Sequence, residues 1–196
     1  MKKTPFLSLA FLLFAFTIFS QTLFKNQVNV GFQYWNFTSL QFSLIEKDNG
    51  NYIINTGGIS NSAILETDSE GAVLWAKSLT DGIGNSALHG SGLIKCDDGG
   101  YLLTTGGDSH RFYKLLRFDE DNNLMWSRFI GHGNEKNGAA TQTTDGGFML
   151  VGHTAVTSFG LTEAFLAKTD SIGNVEWSKK YGTSAYDRAY SVHELE

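Results

Sequence analysis

An all-β fold of antiparallel four-stranded blades, an incomplete β-propeller of about three blades after a signal peptide, is predicted by three features of this 196-residue sequence. Trp75, Trp126 and Trp177 stand 51 residues apart, each closing the same nine-residue phrase. Repetition at that period marks stacked supersecondary units. Ahead of each phrase lies a tight Gly turn followed by an aromatic-aliphatic run, the pattern of a hairpin. Beyond the first twenty residues no stretch carries the 3.6-residue apolar period of a helix. Four short strands per ~50 residues, repeated, is the arithmetic of a propeller blade; a β-sandwich with coincidental repetition is the competing arrangement.

The first element is the leader. Lys2 and Lys3 precede an almost unbroken apolar run from Phe6 to Phe19, and Ser20 offers a small residue before Gln21. That order is the grammar of a secretory signal peptide, and the run is short for a membrane span of ~20 residues. Cleavage after Thr17 and a retained anchor helix are the alternatives. No cysteine lies near the cleavage site, which argues against a lipoprotein. Removing residues 1–20 deletes two lysines and no acid, taking the net charge from −5 to −7. A mildly acidic surface gives no electrostatic case for nucleic acid or anionic membranes. Cys96 is the only cysteine, so no intramolecular disulfide can form, and a lone half-buried thiol is expected.

Residues 21–196 then divide into repeats at about 40–86, 87–136 and 137–186, with the start of a fourth at 187–196. The turn phrases are Asp48-Asn49-Gly50-Asn51-Tyr52, Asp97-Asp98-Gly99-Gly100-Tyr101 and Thr144-Asp145-Gly146-Gly147-Phe148. In the third repeat the strands are expected at about 139–143, 148–153, 164–169 and 175–181. Tyr52, Tyr101, Tyr113, Phe148, Phe165 and Tyr181 fall at period-2 positions and are expected in the core.

In the tryptophan phrase, Asp68, Asp119 or Asp170 opens a turn by accepting backbone N–H bonds. Gly71, Asn122 or Gly173 takes the left-handed position. Trp75, Trp126 or Trp177 then lies on the following strand, where its indole packs between sheets. The D-x-x-G-x-x-x-W spacing resembles the tryptophan-docking motif of quinoprotein-type propellers, which has one more residue between Asp and Gly. It is also similar to the Asp-box of sialidase-like propellers. Most nearly it resembles the D-G-G-[YF] … T-D-S-x-G-N-x-x-W-S-K-x-[YF]-G repeats of secreted bacterial propeller proteins, often joined to a type IX secretion sorting domain. Residues 145–182 match that repeat almost word for word, 97–131 more loosely and 48–79 more loosely still. The resemblance implies a propeller fold and a secreted or cell-surface location, and says little about activity.

Residues 188–196 read as the first strand of a fourth repeat, and no sorting domain follows. Three blades cannot close a ring, because propellers have roughly 4–8. The expectation is a fragment of a longer protein, with completion of the ring by further chains, or a truncated and inactive copy, as alternatives. Open blade edges would favour self-association.

No catalytic constellation emerges. Asp119, Asp121 and Asn123 mimic the first half of a calcium loop, but Leu124 and Ile130 stand where that loop needs Gly and Glu. The five histidines show no ligand spacing. The Gly-Ser and Gly-His-Gly stretches fit neither a nucleophile elbow nor a dinucleotide loop. Asp97-Asp98 and Glu120-Asp121 sit at turn tips. Tyr186 and Asp187 form an exposed aromatic-acid pair for which a turn role is expected. No cofactor is indicated. The sequence favours a non-catalytic binding or structural module, recognising a glycan or protein through loops at 78–87, 107–112, 131–138 and 154–163. The alternative is part of a propeller enzyme of glycoside hydrolase or quinoprotein type.

Overall fold

The computed structural model describes residues 42–56, 62–79, 89–106, 113–131, 135–155 and 161–195. The predicted signal peptide lies outside them. Among the described residues no helix is long and apolar enough to cross a membrane.

Among the described residues twelve strands form three four-stranded antiparallel meanders. Blade 1 holds β1 (Phe42–Glu46), β2 (Tyr52–Thr56), β3 (Ser62–Thr67) and β4 (Val73–Leu79). Blade 2 holds β5 (His89–Lys95), β6 (Tyr101–Gly106), β7 (Tyr113–Phe118) and β8 (Leu124–Ile130). Blade 3 holds β9 (Glu135–Gln142), β10 (Phe148–Ala155), β11 (Thr162–Thr169) and β12 (Val175–Tyr181). The third repeat's strands thus extend past their expected bounds at β9, β10 and β11. First strands pack against first strands: β5 lies against β1 and β2, and β9 against β5 and β6. The all-β propeller arrangement expected from the sequence is present, as three blades.

The core lies between blades, because strand alternation sends odd and even residues to opposite neighbours. Ile53, Ile64 and Leu79 of blade 1 meet Tyr101, Leu103, Leu116 and Phe118 of blade 2. From the other face of blade 2, Leu102, Tyr113, Leu115 and Ile130 meet Phe148, Leu150, Phe165 and Ala167 of blade 3. Tyr101 stacks on Phe118 at 4.9 Å. Each buried Leu, Ile or Phe contributes ~1.5–3 kcal/mol, so these two seams hold the blades in register.

Two expected core aromatics are corrected. Tyr181 is 53% exposed and Tyr52 is half-buried. The equivalent residues Leu79 and Ile130 are buried because a following blade covers them, whereas β12 is exposed along its whole length. Cys96, expected half-buried, is 2% exposed, and desolvation pushes its thiol up to about 11. Residues 187–195 form no strand; they run as an extended tail against blade 3.

The six described β-turns within blades gather at one end by the up-and-down order of the strands. Gly50, Gly71, Gly99, Gly146 and Gly173 are left-handed there, as is Asn122 at φ 67°. The opposite end carries connections of unequal length, such as 80–88 and 131–134.

Gly147 shows how close the packing is at the regular end. A β-carbon there would lie 2.5 Å from Lys168 Nζ and against the Thr169 carbonyl. Because one of those neighbours is backbone, relief requires the hairpin to move. Gly147→Ala is expected to destabilise by about 2–3 kcal/mol, read as a lower urea midpoint at unchanged m-value.

Candidate functional site

The densest polar constellation among the described residues sits at the regular end, on the third strand of each blade. Glu66, Arg117 and Lys168 occupy equivalent positions 51 residues apart. All three are buried, at 4%, 4% and 7% exposure. Each lies directly across the ladder from its blade's tryptophan: Glu66 opposite Trp75, Arg117 opposite Trp126, Lys168 opposite Trp177.

Blades 2 and 3 solve the buried charge alike. Arg117 Nη2 donates to both Asp98 oxygens at 2.5 Å, and its Nη1 donates to the Phe118 carbonyl. Lys168 Nζ reaches Asp145 Oδ2 at 2.8 Å, the Thr169 carbonyl at 2.9 Å and Glu176 at 3.4 Å. Glycine at 100 and 147 leaves the room that these long side chains need. The Lys168 ammonium, with the Thr143 hydroxyl and the Gly147 N–H, holds Asp145 well below the usual carboxylate range. Burial would raise Asp98, but hydrogen bonds from Arg117 and Gly100 outweigh it and leave its carboxyl lowered.

Blade 1 inverts the charge. Glu66 Oε1 accepts from Asn51 Nδ2 at 2.7 Å and from Lys47 Nζ at 3.4 Å. Its Oε2 accepts from Trp75 Nε1 at 2.8 Å and from Asn122 Nδ2 of blade 2 at 2.7 Å. Asn51 replaces the glycine of the other copies because a shorter acidic side chain needs a donor brought to it. Burial raises the Glu66 carboxyl, but the Asn51, Trp75 and Asn122 bonds and the Lys47 charge outweigh it, so it titrates below its ordinary value. Asn122 also accepts from the Tyr101 hydroxyl at 3.2 Å, tying the network to the blade 2 core. The 51-residue alignment carries this signal in the sequence: a charge two residues before each phrase Asp, near the end of the third strand of each blade.

The residues singled out from sequence divide as follows. Asp68 accepts from the N–H groups of Glu70 and Ala72, Asp119 from Asn123, and Asp170 from Ile172 and Asn174. Asp119 and Asn123 are brought together, but Asn123 turns its amide donor to the carboxylate at 3.1 Å. Asp170 and Asn174 make the same pair at 2.9 Å with Ile172 where Asp121 stands. The arrangement therefore belongs to the repeat's turn and does not require a third acid. Among the described residues no group of three His, Cys, Asp or Glu side chains could hold a metal. Asp187 accepts from the Thr183 N–H and hydroxyl, and its own N–H donates to the Thr162 carbonyl, while Tyr186 is 64% exposed.

Trp126 meets Phe148 edge-on at 6.0 Å and covers Gly173, where a β-carbon would lie 2.8 Å from its ring. A cation two residues on lies over each indole: Lys77 on Trp75, Arg128 on Trp126, Lys179 on Trp177. Most of the four loops expected to bind ligand lies outside the described residues.

No protein-family model matches the chain, and no curated protein sequence matches it. Solved structures do match. An α-L-arabinofuranosidase from Clostridium thermocellum superposes with a TM-score of 0.50 at 14% identity, over 72% of this chain and 50% of that one. An exo-β-1,3-galactanase from Phanerochaete chrysosporium matches with a TM-score of 0.49 at 13% identity, over 70% of this chain and 34% of that one. A protein of unknown function from Bacteroides caccae matches at 0.33 and 17% identity, over 74% and 70%. The chain spans about half the length of the first of these. At such identities the likeness is one of fold: the three sheets are blades of a β-propeller.

Proposed function

We propose that this chain is a secreted or cell-surface propeller module that binds a glycan or protein without catalysing a reaction, three blades of a larger propeller assembly. The observation that carries the reading is the commitment of the carboxylates at the regular end. Asp98 and Asp145 clamp Arg117 and Lys168, Asp48 pairs with Lys95 at 2.6 Å, and the phrase aspartates cap turns. Glu66 is saturated by four donors. A glycosidase needs two carboxyls facing one bond across roughly 5–9.5 Å, free to exchange protons. Groups held this way are poor at that task. The unequal connections at the other end suit variable recognition on a rigid scaffold. Export is supported by the residues 1–20 pattern and by the resemblance of the repeats to secreted bacterial propellers.

The test is an array of glycans and surface proteins probed with the purified mature chain. Retention of a ligand is expected to survive Asp145→Asn and Asp98→Asn, and to be lost on replacing residues 80–88 or 107–112 by Gly-Ser linkers. Turnover of a chromogenic glycoside that one carboxylate change abolishes would overturn the reading in favour of an enzyme.

A further inference from the structure

The two ends of the blade stack are complementary, and residues 183–195 imitate the strand that would join them. We propose that two copies of this chain associate head to tail, blade 1 of each docking on blade 3 of the other, and that the tail occupies this site until displaced.

The first observation is an unfilled pair. Trp126 of blade 2 rests on Gly173 of blade 3. The equivalent seat on blade 1, Gly71, has nothing among the described residues within 4 Å of a β-carbon position. The equivalent knob on blade 3, Trp177, is 38% exposed, and Tyr181 beside it on β12 is 53% exposed. One end thus presents a seat without an indole and the other an indole without a seat. A second copy supplies both.

The second observation concerns the first strands. Leu93 of β5 packs on the blade 1 side and Ala140 of β9 on the blade 2 side. The equivalent on β1, Leu44, is 57% exposed. In the tail, Val192 is half-buried while its neighbours Tyr190, Ser191, His193 and Glu194 are exposed. Tyr190-Ser191-Val192-His193-Glu194 repeats the pattern of Phe42-Ser43-Leu44-Ile45-Glu46: aromatic, serine, aliphatic, variable, glutamate. Val192 therefore stands on blade 3 where Leu44 of a second copy would.

The third observation fixes the register. Between blades 2 and 3, Gln142 Oε1 accepts from the Asp97 N–H at 2.9 Å. Glu194 Oε2 accepts from the equivalent N–H, that of Thr144, at 2.7 Å. Glu194 has the blade position of Gln142 and of Glu46. The tail adds Ala189 N–H to the Gly152 carbonyl at 3.2 Å, with Asp187 on Thr162. A docked β1 replaces these few bonds, and Lys179 would then face the Asp68 turn as Arg128 faces the Asp170 turn.

The described residues form three blades, so two copies bring together six, within the roughly 4–8 of closed propellers. A head-to-tail pairing whose rotation closes uses both ends of each copy and stops there instead of growing into a fibre.

The experiment is sedimentation velocity across a concentration series on full mature chains. Loosening the tail with Ala189→Pro and Glu194→Ala together is expected to lower the dimer dissociation constant by about tenfold, because a larger fraction of chains is competent to dock. In that background Gly71→Val and Trp177→Ser should each return the chain to monomer. Mixing the two blocked chains should restore association through one of the two junctions, where the indole of one chain meets the intact glycine of the other; an unfolded variant could not do this. A tail-loosened chain that stays monomeric would overturn the proposal, as would association that ignores both blocking changes.

Discussion

Glu66→Ala is expected to destabilise the protein by about 3–5 kcal/mol, the largest loss from any single polar change here. Glu66 and Lys47 expose only 5% and 9% of their side chains, so solvent cannot replace the lost carboxylate. Asn51, Trp75 and Asn122 would also be left with donors facing no acceptor. Lys47 keeps its 2.7 Å bond to the Glu120 carbonyl, which places the loss toward the lower end of the range. Asn122 belongs to blade 2, so the change also weakens the seam between blades. Equilibrium urea unfolding measures it. A loss under 1 kcal/mol would mean that the network contributes little beyond the packing around it.

The same residue predicts a pH dependence. The folded-state carboxyl of Glu66 lies below its ordinary value of 4.5. A depressed acid contributes stability that is fully present above the unfolded pKa and is lost as pH falls through the folded pKa. The window is therefore acidic, below about pH 4.5. Asp98, Asp119, Asp145 and Asp170 are lowered too, so the wild-type acid profile sums several groups. Subtracting the profile of Glu66→Gln isolates this one: the variant should lose less stability than wild type across that window.

The repeat was legible in the sequence because turn chemistry and tryptophan spacing are local and periodic. Asp-Gly turns announce hairpins, and a 51-residue period announces blades, without knowledge of any contact. The buried charges were harder to see. Glu66, Arg117 and Lys168 differ in sign, so a reading that seeks identical residues passes over a position whose shared property is burial opposite an indole. Partner choice then depends on the third dimension: Asn51 replaces glycine in the blade that carries the acid, and Asn122 crosses from the next blade to meet it. Tyr181 failed as a core expectation for a related reason. Period-2 placement says which face of a strand a residue takes, not whether another sheet covers that face. Asp119, Asp121 and Asn123 imitated a calcium loop because capped turns and cation loops both array oxygens at alternate positions.

Coverage by a following blade also sets the second large effect. Trp126→Ala is expected to destabilise by about 2–4 kcal/mol, and Trp177→Ala by less than about 1 kcal/mol, although the two occupy the same repeat position. The Trp126 ring is closed in by Phe148, by the Gly173 turn and by Arg128, so its removal opens a void between two blades. Trp177 has Lys179 over one side, and β12 beneath it is exposed throughout. Truncating it leaves no void, because water already reaches the site. Gly173→Ala should behave like Trp126→Ala, since it adds a β-carbon 2.8 Å from the indole at a φ of +80°. Trp126→Ala combined with Gly173→Ala should fall short of additivity, because the first removes the ring against which the second clashes. Chemical denaturation of the wild type and these four variants at one low concentration, where any dimer dissociates, gives all these values. Equal losses at Trp126 and Trp177 would show that the indole stabilises its own hairpin; unequal losses assign its energy to the junction between blades.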